Sequence, residues 1–295
     1  MATDNLRGAA WMTGSMAGFA VEDAFIKAAA AHLALGEVLL ILGVLGMVVF
    51  GIAARRAGTP AFPAALRSRT MALRSGCEVV GRLFYALAIA LTPISLASAI
   101  LQASPLVVVL GAALLFGERV GRLRWLLIVA GFAGVLVILR PGLAGFDALS
   151  LLAVIGLLGF SGRDLATRAA PPALSNAQLG VAGFAMLGLS GAVILGFSGG
   201  AALPSAAVWA QIAGASAFGI CGYGALTIAM RTGEVSAVTP FRYSRLLFAM
   251  VLGVLVFGER PDAATLAGSA IIVACGLVIL RQQRRPRPGP GVTPP

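Results

Sequence analysis

The 295-residue sequence is short of charge, of aromatic side chains and of the residues that most often hold metals. Charged residues make up 11%, too few to clothe a water-exposed surface on a chain of this length. There is a single histidine, His32, and the three cysteines Cys77, Cys221 and Cys275 lie far apart inside apolar stretches. That spacing excludes a disulfide framework and a zinc site, and it leaves the cysteines as small packing residues. No cofactor is implied by any motif. Aromatics contribute 7%, and no stretch is both polar and long enough for a soluble domain.

What the chain has instead is apolar sequence. Hydrophobic residues make up 59% and mean hydropathy is +0.96. Runs such as Leu39 to Ala54 and Ser95 to Gly117 are apolar nearly all round, as helices in lipid must be. Breaking the chain at charges, prolines and glycine clusters predicts ten spans, at roughly 8–29, 34–54, 71–91, 94–117, 122–140, 147–168, 177–197, 206–230, 235–258 and 263–281. The apolar stretch after Arg7 is followed by Glu22, Asp23 and Lys27 without a cleavage signal, so it reads as the first span. The net charge of +11 sits in membrane-flanking loops and in the Arg- and Pro-rich tail 282–295. Anionic lipid headgroups are the expected partner for it, not nucleic acid.

The sequence also repeats. Phe116-Gly117-Glu118-Arg119 returns as Phe257-Gly258-Glu259-Arg260, at an offset of 141 residues. In the same register Leu136 to Arg140 maps onto Leu277 to Arg281, Gly18-Phe19 onto Gly159-Phe160, Asp23 onto Asp164, Gly81 onto Gly222 and Ser95 onto Ser236. One ungapped register argues for duplication, with repeats at 1–142 and 143–281. Five spans are an odd number, so the two copies enter the membrane from opposite sides. The expected fold is therefore all-α, with ten transmembrane helices in two inverted five-helix repeats. Placing both termini in the cytoplasm puts Arg7, Arg55, Arg56, Arg67, Arg69, Arg74, Arg119, Arg122, Arg124, Arg163, Arg168, Arg231, Arg281, Arg284, Arg285 and Arg287 on that side, which is 16 of the 22 basic residues. An inner-membrane, multi-pass protein follows.

Several of these motifs resemble a known family. Phe84-Tyr85-Ala86-Leu87, Pro93, Ala97, Ala99-Ile100, Pro105-Leu106 and Leu115 to Arg119 are similar to the EamA-type repeat of the drug/metabolite transporter superfamily, and Ala225-Leu226, Ala229, Gly233 to Ser236 and Val256 to Arg260 repeat the pattern. The resemblance covers nearly the whole chain outside the tail. It implies a carrier of small organic solutes, with amino-acid or metabolite export as the expected direction, and it leaves the substrate open.

The residues that bear on a site are those whose charge is hard to place in lipid, where each costs on the order of 2.5 to 3.5 kcal/mol near a helix centre. Glu78 and Arg82 are one turn apart in the third span, and Tyr85 continues their face. They read either as a solute site, with Arg82 on an anion and Glu78 on an amine or a proton, or as a structural ion pair. In the ninth span Arg245 is deep and is a site candidate, with Phe241 beside it as a ring to stack on, whereas Arg242 lies near the cytoplasmic end and is expected to snorkel to the surface. Tyr223 takes the repeat position of Arg82 and is a cavity candidate, and Gln102 is either a cavity group or an interhelical hydrogen bond. Trp11 reads as an interfacial anchor and Ser15 as a weaker site candidate. Asp23 with Lys27 and Asp164 with Arg168 read as i,i+4 gate or anchoring pairs, and Glu118 and Glu259 as fold-defining residues at helix ends. Pro105 and Pro240 are expected to kink their spans and to expose carbonyls to a cavity.

The sequence thus points to alternating-access transport of a zwitterionic or anionic solute, with proton coupling an open possibility. Uptake of a vitamin or nucleoside-like metabolite is the alternative. A second class also has to be weighed. Gly159-Phe160-Ser161-Gly162 and Gly196-Phe197-Ser198-Gly199 match the Gly-x-Ser-Gly of intramembrane serine hydrolases, but a single histidine is available to activate either serine.

Overall fold

A computed structural model describes residues 2–116, 122–140, 147–168, 171, 173–232 and 239–283. The first-repeat motif Gly117-Glu118-Arg119, the segment Gly233 to Ser236 and the tail from residue 284 lie outside the described residues. The described chain is helical throughout: α1 (Ala2–Ala30), α2 (Leu35–Arg56), α3 (Arg69–Leu91), α4 (Ile94–Leu101), α5 (Ser104–Phe116), α6 (Arg122–Leu139), α7 (Ser150–Arg168), α8 (Asn176–Ser198), α9 (Ala206–Arg231), α10 (Ser244–Phe257) and α11 (Ala263–Gln283). α4 and α5 form one broken span, which makes ten spans among the described residues. Four helices, at Leu35–Arg56, Ser150–Thr167, Asn176–Ser198 and Ala206–Ala229, are long and apolar enough on their own to cross a membrane.

Local chemistry sets the helix boundaries. The Ser68, Ser175 and Ser205 hydroxyls accept from the backbone N–H of Met71, Gln178 and Val208, so each caps the start of a helix. Gln178 completes a capping box and also donates to the Pro60 carbonyl in the loop after α2. α10 ends at Gly258, whose φ of +64° lets the chain turn left-handed where a side chain would be strained.

Packing follows the repeat register. α1 lies on α9 and α7 lies on α3, which are equivalent pairs, while α2 pairs with α8 and α6 with α11, each with its own repeat mate. The repeats are thus interleaved about a pseudo-two-fold axis and are not two separate bodies. Both equivalent crossings close on glycine. A Cβ on Gly159 would sit 2.4 Å from the Gly81 nitrogen, and one on Gly18 would sit 3.2 Å from the Gly222 Cα. Bare backbone is therefore required at the first crossing and favoured at the second.

Loop contacts alternate between the two ends of the bundle. Lys27, Thr92 and Glu259 meet at one end, whereas the Gln178 to Pro60 contact lies at the other. The break in the fourth span falls at Gln102 and Ala103, and the ninth span opens with a 3₁₀ turn, Thr239–Tyr243, before α10. These two breaks are repeat equivalents. Pro105 has no N–H to return to the Leu101 carbonyl, which accounts for the first one.

Candidate functional site

The two broken spans, with α1, α3, α7 and α9, enclose a cavity of about 80 Å³. Its charged lining is Asp23, Arg82, Arg163, Asp164, Arg242 and Arg245, joined by Tyr85, Gln102 and the rings of Phe19 and Phe160. Four guanidiniums thus face two carboxylates. Ligand sites for whole metabolites run to roughly 300 to 1,000 Å³, several times this volume.

Each aspartate is tied to the ninth span. Arg245 Nη2 donates to Asp23 at 2.5 Å, and the Tyr85 hydroxyl donates to the same carboxylate oxygen at 3.2 Å. In the other repeat Asp164 accepts from Arg242 Nη1 at 2.8 Å and pairs with Arg163 at 3.0 Å. Arg245 also stacks over the Phe19 and Tyr85 rings, as Arg82 and Arg163 do over Phe160. Gln102 Nε2 donates to the Arg242 carbonyl at 3.2 Å, which joins the two breaks to each other.

Arg82, Tyr85, Gln102 and Arg245 all line the cavity. Three other candidates do not line it. Glu78 is fully buried behind the wall, where Arg82 Nε meets it at 3.1 Å, Arg163 at 3.3 Å and Arg74 at 3.6 Å. Ringed by three cations, it has the environment of a structural anion. Tyr223 packs edge-on against Phe50 and Phe184, donates to the Leu179 carbonyl and accepts from Arg74. Phe241, within the 3₁₀ turn, packs against the apolar core.

Tertiary packing gives Arg242 and Asp23 partners other than those expected. Arg242 does not snorkel to the surface, because Asp164 draws it inward. Asp23 does not pair with Lys27, which instead reaches Glu259 at 3.5 Å and donates to the Ile89 and Thr92 carbonyls. Asp164 takes Arg163 and Arg242 as partners, and the Arg168 side chain lies outside the described residues. Ser15 donates to the Gly222 carbonyl at 2.7 Å, a helix-to-helix bond away from the cavity. Trp11 is partly exposed at 39%, as an interfacial anchor would be. Arg163, Phe19 and Phe160 are among the cavity residues that inspection of single spans missed, and Asp23 and Asp164 line it although they were read as gate or anchoring pairs. The repeat register held the signal, since Phe19 and Phe160, like Asp23 and Asp164, are repeat mates.

The serine motifs have no histidine partner among the described residues. Ser161 Oγ lies 3.1 Å from Ser104 Oγ, Ser198 Oγ meets the Gly199 carbonyl, and His32 sits in the turn between α1 and α2.

Comparison with known proteins agrees with this picture. Residues 6–140 and 146–281 each match the EamA-like transporter family. The riboflavin transporter of Rhizobium johnstonii is 29% identical over 197 residues, an alignment that covers 67% of this chain and 65% of that one. The pseudopaline exporter of Pseudomonas aeruginosa is 28% identical over 90% of this chain and 93% of its own. The S-adenosylmethionine uptake transporter of Rickettsia prowazekii is 24% identical over 68% of this chain and 67% of its own. A solved crystal structure covers 96% of this chain and 99% of its own with a TM-score of 0.63 at 21% identity, a likeness of fold. With two family matches spanning almost all of its helices, the chain belongs to the EamA-like transporter family of multi-pass membrane proteins and is a transporter, not an enzyme.

Proposed function

We propose that this protein exports a small carboxylate-bearing metabolite, an amino acid or a close relative, by alternating access with both termini in the cytoplasm. The observation that carries the reading is the lining of the cavity, in which the four guanidiniums of Arg82, Arg163, Arg242 and Arg245 meet three carboxylates, Asp23 and Asp164 at the wall and Glu78 behind it. A carboxylate entering there completes the charge balance. It competes with Asp23 for Arg245 and with Asp164 for Arg242, so binding loosens the ion pairs that hold α1 and α7 to the ninth span. Because the repeats are interleaved, the moving parts are pairs such as α1 with α9 and α3 with α7, not residues 1–142 against 143–281. Arg55, Arg56, Arg67 and Arg69, at the helix ends and connection between α2 and α3, support the cytoplasmic assignment and face anionic headgroups.

A second reading is uptake of a vitamin or nucleoside-like compound. The Phe19, Tyr85 and Phe160 rings at the cavity favour it, and relatives named for riboflavin and S-adenosylmethionine transport lie on that side.

Counterflow in liposomes containing the purified protein separates the readings. Exchange of glutamate or another amino acid that is lost in Arg82→Ala supports the first. Exchange of riboflavin or S-adenosylmethionine alone moves the assignment to the second. Normal amino-acid counterflow in a folded Arg82→Ala variant overturns the assigned site.

A further inference from the structure

One buried acid is left without a role by the site as described. Glu22 on α1 is 1% exposed, and its Oε1 has no hydrogen-bond partner. Its carboxyl lies against Gly219 of α9, where an added Cβ would come 2.5 Å from Oε1 and 2.7 Å from the carboxyl carbon. The repeat register shows how unusual this is. The mate of Glu22 is Arg163, and the mate of Gly219 is Glu78. At the equivalent crossing of α7 on α3, Arg163 therefore meets Glu78 as a full ion pair at 3.3 Å. At the crossing of α1 on α9, the acid faces bare backbone.

The charged groups that bear on Glu22 are already engaged. From α3 comes Arg82, which is bound to Glu78, and from α10 comes Arg245, which is bound to Asp23. Asp23, its neighbour on α1, adds a like charge. In the 3₁₀ turn Arg242 is held by Asp164, while on α2 Glu37 accepts from Ala202 N at the end of the bundle. An ionised carboxylate without a donor in an apolar interior costs several kcal/mol, a penalty the neutral acid escapes.

We propose that Glu22 is a proton-binding site, holding a proton in the state shown and exchanging it with water when α1 and α9 part, so that proton movement is linked to the transport cycle. Glu78 does not serve this purpose, since three guanidiniums hold it as an anion. Only the link to transport rests on the function proposed above; the bound proton does not.

Infrared spectroscopy of the full-length protein in liposomes reads the proton without any solute. At neutral pH a carboxylic-acid C=O band should be present, should vanish in Glu22→Gln and should persist in Glu78→Gln. Absence of the band in the unmodified protein, or its survival in Glu22→Gln, overturns the site. If Glu22→Gln fails to insert, unmodified protein carrying ¹³C-carboxyl glutamate should show the band shifted, and an unshifted band overturns the site. With glutamate as the probe, an imposed pH gradient should drive accumulation that falls on the order of tenfold in Glu22→Gln while exchange without a gradient is kept. Gradient-driven accumulation that survives the substitution overturns the coupling. Failure of glutamate to exchange at all counts against the proposed function and leaves the infrared result standing.

Discussion

Arg245 bonds Asp23, stacks on two rings and keeps a buried Nε without a partner. A lysine there keeps the charge and loses the planar fork. Arg245→Lys is expected to lower counterflow about tenfold with little loss of stability, whereas Arg245→Ala strands Asp23 and should cost about 3 to 5 kcal/mol in unfolding. Tyr223→Phe makes the opposite case. It removes the bonds to Leu179 and Arg74, so stability should drop by about 1 kcal/mol, yet transport should be unchanged because the ring does not line the cavity. Arg82 and Arg245 were legible in the sequence because charge inside an apolar span announces itself. Glu78 was legible as a buried acid but not as a triply paired one, since Arg163 comes from a helix 85 residues away. Tyr223 misled because repeat equivalence places a residue on a face without saying what has filled the space in front of it.

The helix ends carry their own logic. Glu259, from the loop after α10, accepts from the backbone N–H of Ile94 at 2.8 Å and of Ser95 at 3.1 Å, and from the Ser95 hydroxyl at 2.6 Å. The acid of the second-repeat motif thus caps α4 of the first repeat and brings Lys27 with it, which closes one end of the bundle. Glu259→Gln weakens a charged cap and should cost about 1 to 2 kcal/mol, read as a lower unfolding temperature in detergent. Asp262 caps α11 in the same way. The backbone N–H of Thr265, bonded at 2.8 Å, and then the Thr265 side chain hold its carboxyl below the ordinary carboxylate range, with Arg140 adding to the effect. Its folded value lies below its unfolded one, so its contribution is complete above about pH 4 and fades as pH falls through the folded value. Asp262→Ala should therefore be about 1 kcal/mol less stable than the unmodified protein at neutral pH, and the two should converge in acid. Sequence marked Glu259 as structural through its position at a helix end, and the prolines marked the broken spans. It was silent on which helix Glu259 would cap, because that partner is set by packing across the repeats.

At the scale of the molecule, duplication, span count and inversion could all be read from periodicity and charge. Interleaving could not, because a repeat register identifies equivalent residues and says nothing about whether they pack within a copy or between copies. The structure places α1 on α9, α2 on α8 and α3 on α7, so neither repeat holds a complete set of its own partners. A chain cut between residues 142 and 143 should give halves that are unstable when expressed singly and that recover counterflow when expressed together. Independent folding of residues 1–142, judged by protease resistance in membranes, would contradict this. The same arrangement has a consequence for how the protein is made. The ribosome delivers α1, α2 and α3 first, so Gly18 and Gly81 meet lipid and Glu78 lacks Arg163 until α7, α8 and α9 leave the exit tunnel, and Asp23 waits longer still for Arg245 on α10. Assembly must therefore wait on synthesis of the second half, and the unfinished first half is the interval in which a membrane chaperone or protease has its chance to act.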